Sequence, residues 1–583
     1  MRRLLACSCS LLVLSACGRL TTGNVDILAA RITTLADSVF AARVSLDAEF
    51  GTQAGISNAD HSRLTDNTPA GIGGAQARWD ALRSTIRAID PTPLANRPEE
   101  VLYGLMRESL DAEEQMRVCR MERWGVASYV NGWQARFTDL AILQPVGSDT
   151  LRAQALTRAR AIAPWLDQEI VNLRDGLGRG YSSPQVIVRN VIGQVNDLIG
   201  TPVRSSPFYS PALRDTNAAF GRALADVVEQ KITPAMTRYR DFLSREYLPS
   251  ARAALGVSAN PEGAACYAAS VRSFATVAVP PDSVFAQGLA AMARVEGEMR
   301  TIAARSFGGE SLATLLPRLR SDPPFMFRTS QEIIDSSSAV IGRARREMGK
   351  WFGRLPTADL VIQPYPEFRQ RAGAPGQYQS APQDGSRPAV FLINPSDPTG
   401  RPRANVENTA LHEGIPGHHL QIAIAREQHG VHPLVRYSFN SGFGEGWALY
   451  AERLADEMGV YSSDIARMGM LGSEAFRAAR MVVDAGIHTK GWTRDQALEY
   501  LTTHSFVTGR QAEGEIDRYI SWPGQAPSYM IGRNEIMRLR EEARARLGAT
   551  FDIREFHDRV LENGTVPLAG LRAHVTRWVD SRR

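Results

Sequence analysis

Apolar residues recur at three- and four-residue spacing through most of the chain, a pattern that is typical of amphipathic helices. Between residues 24 and 267, charged residues separate the apolar positions, and prolines and glycines divide the pattern into segments. The clearest predicted helices of this part are 98–124, 151–177 and 215–247. We therefore expect an N-terminal half built from packed helices.

The pattern is interrupted near Val279, Pro280 and Pro281, and a strong helical pattern then covers 284–305. Two short runs typical of strands, 360–362 and 389–394, flank a stretch rich in proline, glycine, glutamine and serine. Helical patterns return at 443–458, 463–487, 494–504, 510–520 and 528–547. The predicted fold class is mainly α with a small β-sheet, in two halves that comprise 17–280 and 281–583.

The small sheet has two interpretations. A strand just before a catalytic helix can line a substrate groove and pair with an extended peptide through its free edge. It can equally be a structural hairpin beneath that helix, and the pattern does not separate the two.

Composition indicates a large globular protein: 583 residues, of which 44% are hydrophobic and 22% are charged. The formal net charge of +5 is dilute over this length. Basic clusters such as Arg345 and Arg346 are followed by acids such as Glu347. We therefore predict no nucleic-acid partner.

The N-terminus has the features of an export signal: Arg2 and Arg3, then an apolar run from residue 4 to residue 14 that ends before Cys17. It resembles a bacterial lipoprotein signal with residues 1–16 removed and Cys17 lipidated. That predicts an exported protein facing the periplasm or cell exterior, attached to a membrane through its lipid anchor only. An ordinary secretory signal is the alternative, and it also predicts export.

Export decides how the remaining cysteines are interpreted. In an oxidising compartment Cys119 and Cys266 can form a disulfide that closes a long loop. The alternative is two unpaired, buried thiols.

The chemistry centres on the stretch His412-Glu413-Gly414-Ile415-Pro416-Gly417-His418-His419. In the usual His-Glu-x-x-His zinc motif, the two histidines share one helix face. Here the next histidines are six and seven residues beyond the first. On a regular helix His418 would point about 120° away from His412, and His419 would sit about 10 Å further along the axis.

Pro416 and Gly417 supply a remedy, because proline removes a helical donor and glycine adopts backbone angles that other residues avoid. A local bulge there would return His418 to the face of His412. We therefore predict one zinc ion bound by His412 and His418, and we favour His418 over His419 as the second ligand.

Glu445 is the predicted third ligand, since two histidines and a glutamate form a standard catalytic zinc set. Glycines on both sides of Glu445 allow close backbone approach. Glu452, one heptad further on, is a candidate hydrogen-bond partner for a ligand histidine. The alternative for Glu445 is a solvated acid at a helix start. Glu413 would act as the general base that takes a proton from water and passes it to the leaving amine.

The sequence resembles a bacterial family known as domain of unknown function 885, whose members look like zinc metallopeptidases of the gluzincin type. The stretches that carry the resemblance are 412–419, 445–450, 480–488 and 518–529. Weaker similarity extends it over nearly the whole mature chain. The resemblance implies a zincin-like metallopeptidase fold with a deep cleft between two largely helical halves and a buried zinc.

Two further groups gain meaning from this resemblance. Arg480, Asp484 and His488 follow at four-residue steps on one predicted helix. They form either an internal salt-bridge ladder or a row facing the cleft, with His488 orienting substrate or a ligand. Tyr519 and Tyr529 are candidates to hydrogen-bond the developing oxyanion, and we favour Tyr529.

The leading hypothesis is a zinc-dependent peptidase that hydrolyses peptides outside the cytoplasm. A zinc hydrolase of another amide, such as a cell-wall component, is a second interpretation. A third is an inactive peptidase-like lipoprotein that binds peptides, but a pure binder needs neither Glu413 nor a complete ligand set.

Overall fold

The computed structural model of the protein describes residues 22–56, 58–366, 370, 375–381, 387–428 and 430–582. The predicted signal (1–16) and the predicted lipidation site Cys17 lie outside these residues.

The prediction of a mainly helical protein with a small sheet is confirmed. Up to the sheet, the α-helices are Thr22–Leu46, Phe50–Gln53, Pro69–Arg87, Pro98–Met116, Trp133–Leu143, Asp149–Gly178, Gln185–Gly200, Ser210–Leu213, Ala218–Val227, Thr233–Phe242, Leu248–Ser250, Gly263–Ala275, Pro281–Ser306, Leu312–Ser321 and Ser330–Trp351. After it they are Arg403–Glu413, His418–Arg426, Pro433–Arg436, Ser441–Glu457, Asp464–Lys490, Arg494–His504, Gly509–Ser521, Ser528–Leu547, Ile553–Leu561 and Leu568–Ser581.

Five of these helices position the site, and we name them by their chemistry. They are the first histidine helix (Arg403–Glu413), the second histidine helix (His418–Arg426), the glutamate helix (Ser441–Glu457), the arginine helix (Asp464–Lys490) and the tyrosine helix (Ser528–Leu547).

The described sheet has three strands, β1 (Leu360–Pro364), β2 (Gly376–Gln379) and β3 (Ala389–Ile393), in the order β1-β3-β2. β3 is central and buried along its whole length, with β1 parallel and β2 antiparallel to it. The sequence pattern did not predict β2. Its residues Gly-Gln-Tyr-Gln include a single strong strand former, so pairing with β3 rather than local preference fixes this edge strand.

The first half departs from the predicted bounds at one informative place. The predicted helix 98–124 ends at Met116 and continues as two short 3-10 turns separated by Arg120, whose φ is 46°. Within this irregular segment, Cys119 forms a disulfide with Cys266, 147 residues away. The bond fixes the segment against the Gly263–Ala275 helix.

Two large buried cores support the fold. One contains residues from both sides of position 280, for example Leu166, Val295 and Met481. The other lies under the sheet and joins β3 to the first histidine, glutamate and tyrosine helices through Phe391, Leu411, Trp447 and Ile536. The division at residue 280 therefore does not separate two independent cores, and as a domain boundary it stays a prediction.

Among the described residues, no helix combines the length and the apolar character needed to cross a membrane.

Candidate metal centre

The helical path is interrupted between the two histidine helices. The first histidine helix ends at Glu413, the second begins at His418, and the Ile415–Pro416 peptide bond between them is cis. The Trp447 indole donates a hydrogen bond to the Pro416 carbonyl at 3.0 Å. A Cβ on Gly417 would overlap the His412 carbonyl oxygen, so this position requires glycine. The predicted break thus lies at Pro416 and Gly417.

The break brings the two imidazoles to one carboxylate. His412 Nε2 lies 3.8 Å and His418 Nε2 lies 3.7 Å from the same oxygen, Oε2 of Glu445. Across the described part of the chain, this is the one group of three potential ligands whose donor atoms all lie within 4.8 Å of one another.

These residues fit a zinc ion by donor chemistry and by spacing. Zinc–nitrogen bonds of about 2.1 Å at a tetrahedral angle place two ligand atoms about 3.4 Å apart, close to the spacing found here. The three side chains are 9%, 12% and 19% exposed, so the site is recessed but open to a small molecule. Three protein ligands leave one tetrahedral position free, as in catalytic zinc sites.

Glu452 fixes the orientation of the first ligand. Its Oε1 accepts a hydrogen bond from Nδ1 of His412 at 2.7 Å. Burial would raise the pKa of Glu452, but the bond to His412 and nearby positive charge keep it below its usual value. The ionised carboxylate can only accept, so the His412 proton sits on Nδ1 and Nε2 keeps its lone pair for a metal.

The electric field of the site attracts a cation. Burial would lower the pKa of His418, but the neighbouring carboxylates of Glu445 and Glu413 raise that pKa to about 9. Burial would raise the pKa of Glu445, but His418, His412 and Arg477 lower it to about 2. In the metal-free protein, His418 and Glu445 therefore carry opposite charges at neutral pH. The extra proton of His418 then occupies the place that a metal ion would take between the two side chains.

Glu413 projects from the end of the first histidine helix towards the sheet. Its Oε2 accepts a hydrogen bond from the backbone N–H of Tyr378 in β2 at 2.9 Å. This N–H points away from β3, so the other edge of β2 faces the candidate base. No feature of the sequence pattern at β2 indicated this contact.

His419 lies apart from the three potential ligands and supports β2 instead. Its Nδ1 is 3.2 Å from the Tyr378 hydroxyl, and the two rings pack edge to face. Burial lowers the pKa of His419 to about 4, so the ring is neutral at physiological pH. It positions Tyr378, whose backbone contacts Glu413.

Two glycines set the distance between the glutamate and tyrosine helices. A Cβ on Gly446 would lie 2.6 Å from the Gly532 carbonyl carbon, and one on Gly532 would overlap the Gly442 carbonyl oxygen. One turn away, the Ser441 and Ser528 hydroxyls are 2.7 Å apart. This close crossing holds Glu445 beside Tyr529, and no sequence motif indicated Gly532 as a site residue.

Of the two predicted tyrosines, Tyr529 is the one that lies beside His412, His418 and Glu445, the three potential ligands that we call the metal group. Burial and the charge of Glu445 raise its pKa, so the hydroxyl stays protonated and able to donate. Tyr519 is fully buried and accepts a hydrogen bond from Nε of Arg480 at 3.2 Å.

Arg480, Asp484 and His488 do not form an internal salt-bridge ladder, and of the three it is Arg480 that borders Tyr529, at 4.8 Å from the ring centre. Arg480 pairs with Glu515 at 3.1 Å. Asp484 accepts from the Tyr267 hydroxyl at 2.7 Å, and burial raises its pKa to about 7. Both nitrogens of His488 are engaged with backbone groups of other segments, Nδ1 at 3.0 Å and Nε2 at 3.0 Å. The structure therefore leaves His488 no ring nitrogen for catalysis and assigns it to packing.

Comparison with known proteins gives a family and a fold. The family model described as "Bacterial protein of unknown function (DUF885)" matches residues 49–575. A crystal structure from Colwellia psychrerythraea, described as a "putative lipoprotein", is 26% identical, covers 96% of this chain and 99% of its own, and has a TM-score of 0.83. One from Shewanella oneidensis, described as a "putative lipoprotein of unknown function", is 17% identical, covers 93% and 99%, and has a TM-score of 0.77. No curated protein matches the sequence.

Proposed function

This chain belongs to the DUF885 family, and we propose that it is a zinc-dependent peptidase with a zincin-like active-site cleft. The observation that carries the proposal is the convergence of His412, His418 and Glu445 at 3.7 to 3.8 Å, with Glu413 beside them. When bound, a zinc ion supplies Lewis-acid chemistry: it polarises a carbonyl group and lowers the pKa of water.

Glu413 moves the proton in this proposal. The hydrogen bond from Tyr378 N–H holds one carboxylate oxygen, Oε2, and in this proposal the other oxygen accepts the proton. The carboxylate takes a proton from the attacking water and delivers it to the amine nitrogen as the C–N bond breaks. Tyr529, kept protonated by burial, donates a hydrogen bond to the carbonyl oxygen as negative charge develops there.

The edge of β2 supports a peptide as the substrate. β2 pairs with β3 on one side, and on the other its backbone faces Glu413. An extended peptide can add to such an edge through main-chain hydrogen bonds, which would place a backbone carbonyl near the metal group. A cell-wall glycan amide would not use that edge.

Export as a lipoprotein anchored at Cys17 is part of the proposal. The likeness to two structures described as lipoproteins supports it. The Cys119–Cys266 disulfide also supports it, because such bonds persist in oxidising compartments.

The experiment combines metal analysis of the purified mature protein with assays on a mixed peptide library. We expect one zinc per chain in wild type and in Glu413→Gln, weakened binding in His412→Ala, and peptide cleavage by wild type alone. His504→Ala is the matched control, since His504 pairs with Glu296 in another part of the molecule and should change neither property.

Two outcomes would reject the proposal. Undiminished cleavage by metal-free wild type would remove zinc from the reaction. Chelator-sensitive cleavage of wall fragments, without cleavage of any peptide, would redirect the function to a wall amidase.

A further inference from the structure

One arginine beside the metal group has guanidinium nitrogens without a hydrogen-bond acceptor. Nη1 of Arg477, on the arginine helix, donates to the Ser473 hydroxyl at 2.6 Å and to the Ser473 carbonyl at 3.4 Å. Its Nε is buried without an acceptor, and among the described residues no carboxylate pairs with the guanidinium. Nε and Nη2 form the edge that can bind a carboxylate through two parallel hydrogen bonds, and on Arg477 neither atom has an acceptor among the described residues.

Arg477 lies close to the groups that would carry out hydrolysis. Its guanidinium carbon is 6.0 Å from the ring centre of Tyr529. It also contributes to the lowered pKa of Glu445 against the opposing effect of burial. A ligand on the unpaired edge of Arg477 would therefore sit next to both the proposed zinc ligand and the proposed oxyanion donor.

Buried aromatic side chains border Arg477 on one side, and its guanidinium carbon lies 5.4 Å from the ring centre of Phe476. The guanidinium of Arg480 stacks on Phe476 at 4.2 Å and on Tyr529 at 4.8 Å, and these side chains are buried. Arg480 and Arg518, also buried, share the carboxylate of Glu515. The Arg477 guanidinium thus borders side chains that are buried and packed against one another.

We propose that Arg477 binds the free C-terminal carboxylate of the peptide, which makes the protein an exopeptidase that acts from the C-terminus. The inference rests on the proposed peptidase function. Side chains of Asp and Glu offer the same carboxylate chemistry, but the buried packing beside Arg477 leaves less room for a continuing chain and so favours a chain end. In the reaction, a water oxygen bonds to the carbonyl carbon as the C–N bond breaks. The C-terminal fragment leaves with its carboxylate on Arg477 and with a proton from Glu413 on its new amine.

The first test measures binding without turnover, in zinc-loaded Glu413→Gln. Three matched pentapeptides are titrated by calorimetry: a free acid, its C-terminal amide, and an amide with glutamate as last residue. We expect the free acid to bind about 10- to 100-fold more tightly than either amide. Adding Arg477→Gln should abolish this preference, and Arg477→Lys should retain part of it because the charge remains without the two-donor edge.

Arg467→Gln is the matched control on the same helix, because Arg467 pairs with Asp456 and should leave the preference intact. The acid-to-amide comparison on the Glu413→Gln background alone tests the idea even if an Arg477 variant fails to fold. Equal affinity for the acid and the plain amide would overturn the proposal. Tight binding of the glutamate amide would assign the edge to a side-chain carboxylate and overturn the chain-end assignment.

Turnover by wild type separates this inference from the proposed function. Release of C-terminal fragments from the acid, with the amide about 10- to 100-fold slower in kcat/KM, supports both. Equal hydrolysis of acid and amide leaves the peptidase standing and refutes the role of Arg477. Acid-selective binding without hydrolysis of any peptide refutes the peptidase and retains the carboxylate site.

Discussion

Glu452 accepts a hydrogen bond from Nδ1 of His412 at 2.7 Å, and only 1% of the Glu452 side chain is exposed. Glu452→Gln should lower zinc affinity about 10- to 100-fold, because an amide orients the imidazole less firmly and removes a negative charge next to it. Competition with a coloured chelator measures the change. Glu457→Gln, on the same helix but paired with Arg540, should leave zinc affinity unchanged. Equal affinity of Glu452→Gln and wild type would contradict this role.

Gly532→Ala should destabilise the protein by about 1 to 3 kcal/mol or more, because the new methyl group would overlap the Gly442 carbonyl at the helix crossing. Denaturant unfolding measures the free energy, and zinc content should fall with it as Glu445 is displaced. In Gly514→Ala, the added methyl group meets nothing within 4 Å. Because alanine is the better helix former, that variant should gain about 0.5 to 1 kcal/mol.

Zinc binding should release a proton below pH 9. The pKa of His418 is about 9 in the metal-free protein, so at neutral pH zinc must displace a proton from the ring. We expect zinc affinity to rise about tenfold per pH unit towards pH 9 and then to level off. Calorimetry in buffers of different ionisation enthalpy counts the released protons, and a flat profile from pH 6 to 9 would count against the assignment.

The stability of the metal-free protein should change with pH in the opposite direction. The pKa of His418 is raised from 6.5, so its protonated form stabilises the fold fully below about pH 6.5, and this contribution disappears as the pH rises through about 9. Thermal unfolding of chelator-treated protein should show Tm falling over that interval. The fall should be absent in His418→Gln if His418 is its source.

Tyr529→Phe should lower kcat about 10- to 1000-fold without changing zinc content, since one oxyanion donor is removed and no ligand is touched. Tyr519→Phe is the matched control. Its hydroxyl is held by Arg480, so its loss should affect stability more than kcat. Steady-state kinetics on a peptide that wild type cleaves gives both values, and equal losses in the two variants would leave Tyr529 without a special role.

Local chemistry could be predicted from the sequence. The break between the histidine helices follows from Pro416 and Gly417 themselves, whose backbone properties do not depend on distant contacts. The same holds for the helices, which have clear periodicity. The resemblance to domain of unknown function 885 is likewise confirmed by the family match over residues 49–575.

Long-range contacts could not be predicted in this way. The four residues of β2 lack a strand pattern, so the contact of Tyr378 with Glu413 depends on pairing across the sheet. The even spacing of Arg480, Asp484 and His488 suggested one shared task. Arg480 and His488 instead contact the Gly509–Ser521 helix and Asp484 contacts Tyr267, and helix periodicity carries no information about those partners.

The crossing of the glutamate and tyrosine helices has a consequence for mutational scans of this enzyme candidate. Gly446 and Gly532 bear no reactive group, yet any side chain there would push the two helices apart and so separate the proposed ligand Glu445 from the hydrogen-bond donor Tyr529. In a saturation library selected for activity, both positions should tolerate as little variation as the histidines. The positions at which variants are lost from the library would then include Gly446 and Gly532 as well as the residues that carry the chemistry.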